Sequence, residues 1–101
     1  MTDYGDFLRR HRRLALLRHL EACPDYTSNA AILQSVLNGL GITSTRDQVV
    51  TELTWLREQG FIAVEDLGTV VIAAASTRGV EIARGLTSHP EIERPSPRPR
   101  L

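Results

Sequence analysis

The side chains best suited to chemistry in this sequence are one cysteine and three histidines. His19 and Cys23 are four residues apart, a spacing that brings two side chains to one face of a helix and would allow them to share a metal ion. Neither His11 nor His89 has a partner at metal-site spacing. The sequence also contains no nucleophile elbow and no glycine-rich phosphate loop after a strand. We therefore predict no catalytic site, no cofactor and no metal site.

Arginine is the other residue type with clear chemical potential, because its guanidinium pairs with phosphates and carboxylates. All twelve basic residues are arginines. Residues 1–19 hold five of them against two acids, and residues 94–101 hold three with no acid. Residues 20–93 hold four arginines against ten acids, so the formal charge of zero hides two basic ends around an acidic middle. Such a charge separation gives information about binding partners rather than about the fold.

The only tryptophan, Trp55, lies in the stretch TELTWLREQGFI. Helical spacing puts Leu53 and Leu56 on the core side and Trp55 on the opposite face, beside Thr51 and Thr54. An exposed tryptophan among small polar residues is typical of a protein-interface hot spot. Two alternatives are that helix 1 or a hairpin covers the ring, or that it is tolerated at the surface.

These residues must be positioned by helices in the first half of the chain. Four closely spaced leucines bury one side of a helix over residues 4–22, which Pro24 ends. Ser28 or Asn29 caps a second helix, in which apolar residues recur at positions i, i+3, i+4 and i+7. Gly41 is the expected C-terminal cap of that helix.

A third helix and a hairpin follow. Ser44 and Asp47 predict a capping box at the start of a helix that continues to about Gln59. Residues 61–75 form two apolar, β-branched runs around a short Asp-Leu-Gly turn. This pattern predicts a two-stranded β-hairpin.

The remaining residues predict a short helix and a tail. Ser76 or Thr77 caps a fourth helix that ends near Gly85. From residue 89 onward the chain has four of its five prolines and no hydrophobic periodicity. The sequence therefore predicts one domain over residues 1–88 and an extended Pro/Arg-rich tail over residues 89–101.

Two family resemblances follow from these motifs. The spacing V-x3-L-x2-L-x3-G-Φ from Val49 to Phe61 is similar to the third helix and the start of the wing in winged-helix repressors of the metal-sensing and antibiotic-resistance types. LLRHL in the first helix and TRGVEIA after the hairpin are similar as well. Over nearly its whole length, including RDQVVTELTWLREQGF, TRGVEIARG and RPSP, the chain resembles a family of small uncharacterised proteins of Mu-like phages.

The resemblance implies a mostly α fold with a small β-hairpin, namely a winged helix-turn-helix with three helices, a two-stranded wing and a short helix. Winged helices bind duplex DNA with the third helix in the major groove and the wing on the backbone or in the minor groove. The resemblance therefore implies a transcriptional regulator or another DNA-associated factor in phage development, located in the cytoplasm of the bacterial host. Fold analogy alone does not fix this function.

The outer face of the third helix is unusual for DNA binding, because Asp47 and Glu58 lie on it and the hairpin turn is also acidic. Arg46 and Arg57 are expected nearer the core side of the helix. Most of the positive charge must then come from the RRHRR block and the RPSPRPR tail, unless both are simply solvated. The residues predicted to contact DNA are Arg9, Arg10, Arg12, Arg13, Arg46, Gln48, Thr51, Arg57, Arg98 and Arg100.

The alternative function is a protein-interaction adaptor in phage assembly or host takeover. Its interface would use Gln48, Thr51 and Trp55, and its partner would be another protein or a second copy of the chain. No membrane partner is expected, because no stretch approaches the roughly 18 apolar residues of a membrane span. The sequence thus leaves duplex DNA and a protein surface as the two candidate partners.

Overall fold

The computed structural model describes residues 3–96 of the chain, and this part is mostly helical with a small antiparallel sheet. The predicted helices are confirmed, and none of them in the described part is long and apolar enough to cross a membrane. The elements in chain order are α1 (Tyr4–Ala22), a 3-10 turn (Pro24–Tyr26), β1 (Thr27–Asn29), α2 (Ala30–Gly39), α3 (Arg46–Glu58), β2 (Ile62–Asp66), β3 (Val71–Ala75) and α4 (Thr77–Ala83).

Short polar side chains set where three of the helices begin. Asp3 caps α1, since its Oδ1 accepts a hydrogen bond from the backbone N–H of residue 6 at 2.7 Å. Of the predicted alternatives, Asn29 caps α2 and Ser76 caps α4. Each side-chain oxygen satisfies a backbone N–H that has no partner inside the helix.

The predicted capping box of α3 is wrong by one residue. Thr45 is the N-cap, and its Oγ1 accepts from the N–H of Gln48 at 3.1 Å. In return, the Gln48 side chain accepts from the N–H of Thr45 at 2.9 Å. Ser44 is buried instead and donates from Oγ to the carbonyl of Ile42 at 2.8 Å, so its hydroxyl is used in the turn between α2 and α3.

The sheet has three strands in the order β1-β3-β2, with both pairings antiparallel. β2 and β3 form the predicted hairpin, but the expectation of only two strands is wrong. Thr27 pairs with Ala74 and Asn29 with Ile72, so β1 covers the second edge of β3. β1 has only three residues, all polar, and therefore lacks the alternating apolar pattern by which a strand is identified from sequence. Its pairing satisfies backbone groups that an open edge would leave exposed.

The core lies between α1, α2, α3 and one side of the sheet. Leucines from the three long helices, at the spacing that predicted those helices, form its largest group, and α4 adds Ile82 and Ala83. The largest fully buried side chains are Leu16, Leu17, Leu20, Leu33, Leu37, Val49, Leu53, Leu56 and Ile92. All but the last belong to predicted apolar stripes.

Ile92 comes from the region predicted to be an extended tail, yet its side chain is only 1% exposed. The chain reverses at Pro90, in a turn closed by a 3.1 Å hydrogen bond from the Ile92 N–H to the His89 carbonyl. The N–H of Glu93 then donates to the carbonyl of Arg10 on α1 at 3.2 Å. The packed part of the chain thus extends beyond the predicted boundary at residue 88. We refer to residues 89–93 as the C-terminal segment.

Gly79 provides a test of the close contact between α4 and the start of β2. A Cβ atom at this position would overlap the backbone carbonyl of Phe61, which cannot move as freely as a side chain. We expect Gly79→Ala to lower the free energy of unfolding by about 1–3 kcal/mol, the usual cost of overpacking. The measurement is urea denaturation followed by circular dichroism.

Gly39→Ala is the matched control, because no atom lies within 4 Å of a Cβ atom placed there. Alanine favours helix over glycine, so this control should be neutral or stabilising by up to about 1 kcal/mol. Equal effects of the two substitutions would contradict the close contact at Gly79.

Candidate interaction surfaces

Arg13 is buried and joins three parts of the chain. Its Nε donates to Oε1 of Glu52 on α3 at 2.7 Å, and its guanidinium lies 3.7 Å from the ring centre of Trp55. A second guanidinium nitrogen donates to the backbone carbonyl of Glu91 at 3.0 Å. Arg13 and Glu52 are only 6% and 4% exposed. Each charge is therefore neutralised inside the protein, and this guanidinium is not open to a DNA phosphate.

Arg12 is buried as well and holds the turn between α2 and α3 against α1. Its Nε donates to Oγ of Ser44 at 2.8 Å, and a terminal nitrogen donates to the carbonyl of Thr43 at 3.4 Å. The backbone N–H of Ser44 donates to Oδ1 of Asn38 at 2.9 Å. This network gives Arg12 a structural role, because it ties the turn to the first helix.

Arg9 and Arg10 remain at the surface but have acidic neighbours. Arg9 forms an ion pair of 2.7 Å with Asp6, one helical turn earlier. Arg10 approaches the carboxylate of Glu93 at 3.7 Å. The RRHRR block therefore has two arginines inside the protein and two beside carboxylates, and does not form a continuous positive surface.

The outer face of α3 is exposed but carries both signs of charge. Arg46, Gln48, Thr51 and Arg57 are exposed, so the expectation that the two arginines lie nearer the core side is wrong. The side-chain oxygen of Gln48 already accepts a hydrogen bond in the α3 cap. The acidic side chains of Asp47 and of residue 58 are exposed on the same helix. Arg98 and Arg100, the other predicted DNA contacts, lie outside the described residues.

Arg46 lies where three elements meet. The cleft around it is lined by Asn29 and Ala31 at the start of α2 and by Thr69 and Val70 in the hairpin loop. The start of α2, the start of α3 and the loop between β2 and β3 thus lie side by side. This arrangement places one exposed guanidinium at their junction.

Trp55 is partly buried rather than exposed on the outer face of α3. Arg13 covers one part of the ring, and His89 meets it edge-on with 5.3 Å between ring centres. The same histidine is 5.7 Å from the ring of Phe61. Helix α1 and the C-terminal segment together cover the tryptophan. A sequence signal for this was available: Ile92 is an isolated aliphatic residue that follows a turn-forming proline.

Large apolar side chains are exposed on another surface, formed by α1 and α2. Tyr4 and Phe7 on α1 are 73% and 48% exposed, and Ile32 and Leu40 on α2 are 49% and 62% exposed. Between the two helices runs a groove lined by His11, Leu14, Ala15, Arg18, His19, Ala22, Val36, Leu40 and Ile42. We refer to these residues, together with Tyr4, Phe7 and Ile32, as the α1–α2 face.

The α1–α2 face is continuous along both helices. On α1, the rings of Tyr4 and Phe7 stack with 6.3 Å between centres, and Phe7 is 4.2 Å from His11 at the groove. On α2, Val36 lines the groove, Ile32 lies one helical turn before it, and Leu40, the C-cap of the helix, lies one turn after it. This face was not predicted, because alanines and histidines interrupt its apolar pattern in the sequence.

The described residues provide no constellation for a metal. Within residues 3–96, no three His, Cys, Asp or Glu side chains come together in a way that would hold a metal ion. His19 and Cys23 therefore gain no further ligand from this part of the chain.

Comparisons with known proteins identify two uncharacterised relatives. The uncharacterised protein gp26 of Escherichia phage Mu is 36% identical over 94 residues, which are 93% of this chain and 97% of that protein. An uncharacterised protein of Haemophilus influenzae (strain ATCC 51907 / DSM 11121 / KW20 / Rd) is 32% identical over 76 residues, which are 75% of this chain and 74% of that protein. No family model and no solved structure matches.

Ile92→Ala tests whether the C-terminal segment is part of the fold. Removing a fully buried isoleucine should lower the free energy of unfolding by about 2–5 kcal/mol, because it leaves a cavity. Loosening of the segment should also expose the ring of Trp55 to water and shift its fluorescence emission to longer wavelength. Urea denaturation monitored by this fluorescence measures both effects.

Leu86→Ala is the control, because Leu86 is 70% exposed. Its effect should stay within about 0.5 kcal/mol, as for most surface substitutions. If Ile92→Ala retained the stability and emission of the unmodified protein, the segment would contribute nothing to the core.

Proposed function

We propose that this chain, which belongs to the family of uncharacterised proteins that includes gp26 of phage Mu, is a phage protein-interaction component that docks through its α1–α2 face. The observation that carries the proposal is the exposure of Tyr4, Phe7, Ile32 and Leu40 on one continuous face. The proposed role is binding rather than catalysis, in the host cytoplasm during phage development.

The composition of the α1–α2 face favours a protein partner. Large contiguous apolar patches are uncommon on proteins that act alone, because water solvates them poorly. Aromatic side chains are enriched at protein interfaces, and here Tyr4 and Phe7 stand at one end of the face. Among residues 3–96, Arg18 is the one arginine that lines the groove, whereas charged residues dominate a surface that binds nucleic acid.

The charge distribution also supports a protein partner over duplex DNA. Residues 3–96 hold ten of the arginines and all twelve acids, which gives this part a formal charge of 10 − 12 = −2. Arg12 and Arg13 are buried and contribute little to the surface potential available to a phosphate. Protein–DNA interfaces are strongly positive because phosphate neutralisation supplies most of the nonspecific affinity.

A photoreactive phenylalanine analogue at position 40 tests the proposed docking face in living cells. Leu40 is 62% exposed, so the substitution leaves the core intact. We expect irradiation to produce a specific cross-linked species, identified by mass spectrometry. The same analogue at Leu86, an equally exposed leucine outside the face, should give no matching product. Failure of position 40 to cross-link any protein would contradict the proposal.

Duplex DNA is the second candidate, and the junction at Arg46 favours it. The helices α2 and α3 followed by a hairpin are compatible with a winged helix, in which these elements meet DNA. Arg46 would contact a phosphate, while Gln48 and Thr51 would face base edges. The exposed Asp47, next to Arg46 in the sequence, and Asp66, at the end of β2 in the hairpin, weaken this candidate because carboxylates repel phosphates.

Fluorescence anisotropy with a mixed-sequence duplex separates the two candidates. If the protein-interaction proposal holds, binding at physiological salt should be weaker than the roughly 10⁻⁴ to 10⁻⁶ M typical of nonspecific DNA binding. The substitution Arg46→Ala should then leave this weak DNA binding unchanged. Salt-sensitive binding that is tighter than this range, is lost in Arg46→Ala and is retained in Arg84→Ala would establish DNA as the partner instead. Arg84 is an exposed arginine at the end of α4 and serves as the control.

A further inference from the structure

We infer that the partner of the α1–α2 face is a second copy of this chain, paired with the first through antiparallel α1 helices. The inference rests on the proposed function, since it identifies the occupant of the same face. It follows from the order of side chains along α1, where side-chain size is complementary between the two ends of the helix.

The outward stripe of α1 has the spacing of a helix–helix seam. Tyr4, Phe7, His11, Ala15 and Arg18 follow one another at intervals of three or four residues. Tyr4 and Phe7 are large and exposed, whereas Ala15 is small and lines the groove. The stripe therefore has a bulky first half and an open second half.

An antiparallel pair centred on His11 brings these unlike halves together. Position 7 and position 15 are equally far from position 11, so Phe7 lies opposite Ala15 of the partner subunit. Position 4 and position 18 are also equally far from it, so Tyr4 lies opposite Arg18 of the partner subunit. The first contact places a large ring over a small side chain, and the second permits a cation–π contact. A two-fold axis repeats both contacts, as a closed dimer requires.

The order of side chains in the stripe selects the antiparallel direction. Parallel pairing would place Phe7 beside Phe7 of the partner subunit and Arg18 beside Arg18 of the partner subunit, and like charges side by side cost energy at an interface. Antiparallel pairing separates the two copies of Arg18 and fills the space beside Ala15. The exposed Leu40, which lines the groove with Ala15 and Arg18, lies beside the seam and would add to the buried area.

Light scattering and sedimentation of the purified full-length chain measure the predicted assembly. We expect a species of twice the monomer mass. Phe7→Asp should raise the dimer dissociation constant by about tenfold or more, because it puts a carboxylate where the ring met an alanine. Phe7 is half-exposed, so circular dichroism should show an unchanged fold. Leu86→Asp, outside the face, should leave the dimer intact.

Cysteine cross-linking tests the direction of the helices. In a Cys23→Ser background, Tyr4→Cys protein mixed with Arg18→Cys protein should form a disulfide-linked pair. Each variant alone should not, because the two copies of either position lie roughly 21 Å apart at 1.5 Å per residue. Cross-linking of Tyr4→Cys with itself, without the mixed product, would overturn the antiparallel arrangement.

Failure of this inference differs from failure of the proposed function. If the unmodified chain stays monomeric and the analogue at Leu40 cross-links only a different protein, the second copy is excluded while the docking face stands. If the analogue at Leu40 cross-links nothing and the chain is monomeric, both are overturned. If the analogue at position 40 gives a cross-linked product of twice the monomer mass, and this product is lost when Phe7→Asp is also introduced, both the docking face and the second copy are supported.

Discussion

The burial of Arg13 is the constraint on which the arrangement of α1, α3 and the C-terminal segment depends. A guanidinium taken out of water must have its charge neutralised and its N–H groups bonded, or the fold loses several kcal/mol. Glu52 supplies the opposite charge, Trp55 covers the cation, and the carbonyl of Glu91 accepts a further hydrogen bond. These partners come from α3 and from the C-terminal segment, so satisfying one side chain of α1 fixes the position of both beside it.

This constraint also decides which groups are available for binding. Arg12 holds the turn between α2 and α3 in place. Arg13, covered by Trp55, holds the C-terminal segment in place. The residues with the most obvious potential for contacting DNA or a protein are therefore used inside the fold. The exposed apolar surface lies elsewhere, where Ala15 and Ala22 of α1 leave room beside Leu40. A binding role for this chain is best sought there.

The structure further illustrates that the elements of a fold and its surface can favour different functions. The start of α2, the start of α3 and the hairpin loop meet at Arg46, an arrangement compatible with a winged helix. The carboxylates of Asp47 and Asp66 are nevertheless exposed, and phosphates would be repelled by them. A scaffold of this kind can bind DNA or protein, and the side chains on its surface decide between them.

The sequence by itself determined the local elements. The bounds of α1 and the β2–β3 hairpin depend on neighbouring residues, so periodicity and turn chemistry were sufficient to predict them. The same local chemistry narrowed the caps of α2 and α4 to two residues each, and the structure selects Asn29 and Ser76. Only the tertiary structure decided which charges and aromatic rings are buried. Arg13 meets residues 39 and 78 positions away, and a helical wheel contains no information about contacts at such separations. For the same reason, the short strand β1 became recognisable only once β3 lay beside it, and only packing against the core decided that Ile92, for which the sequence held a signal, is buried.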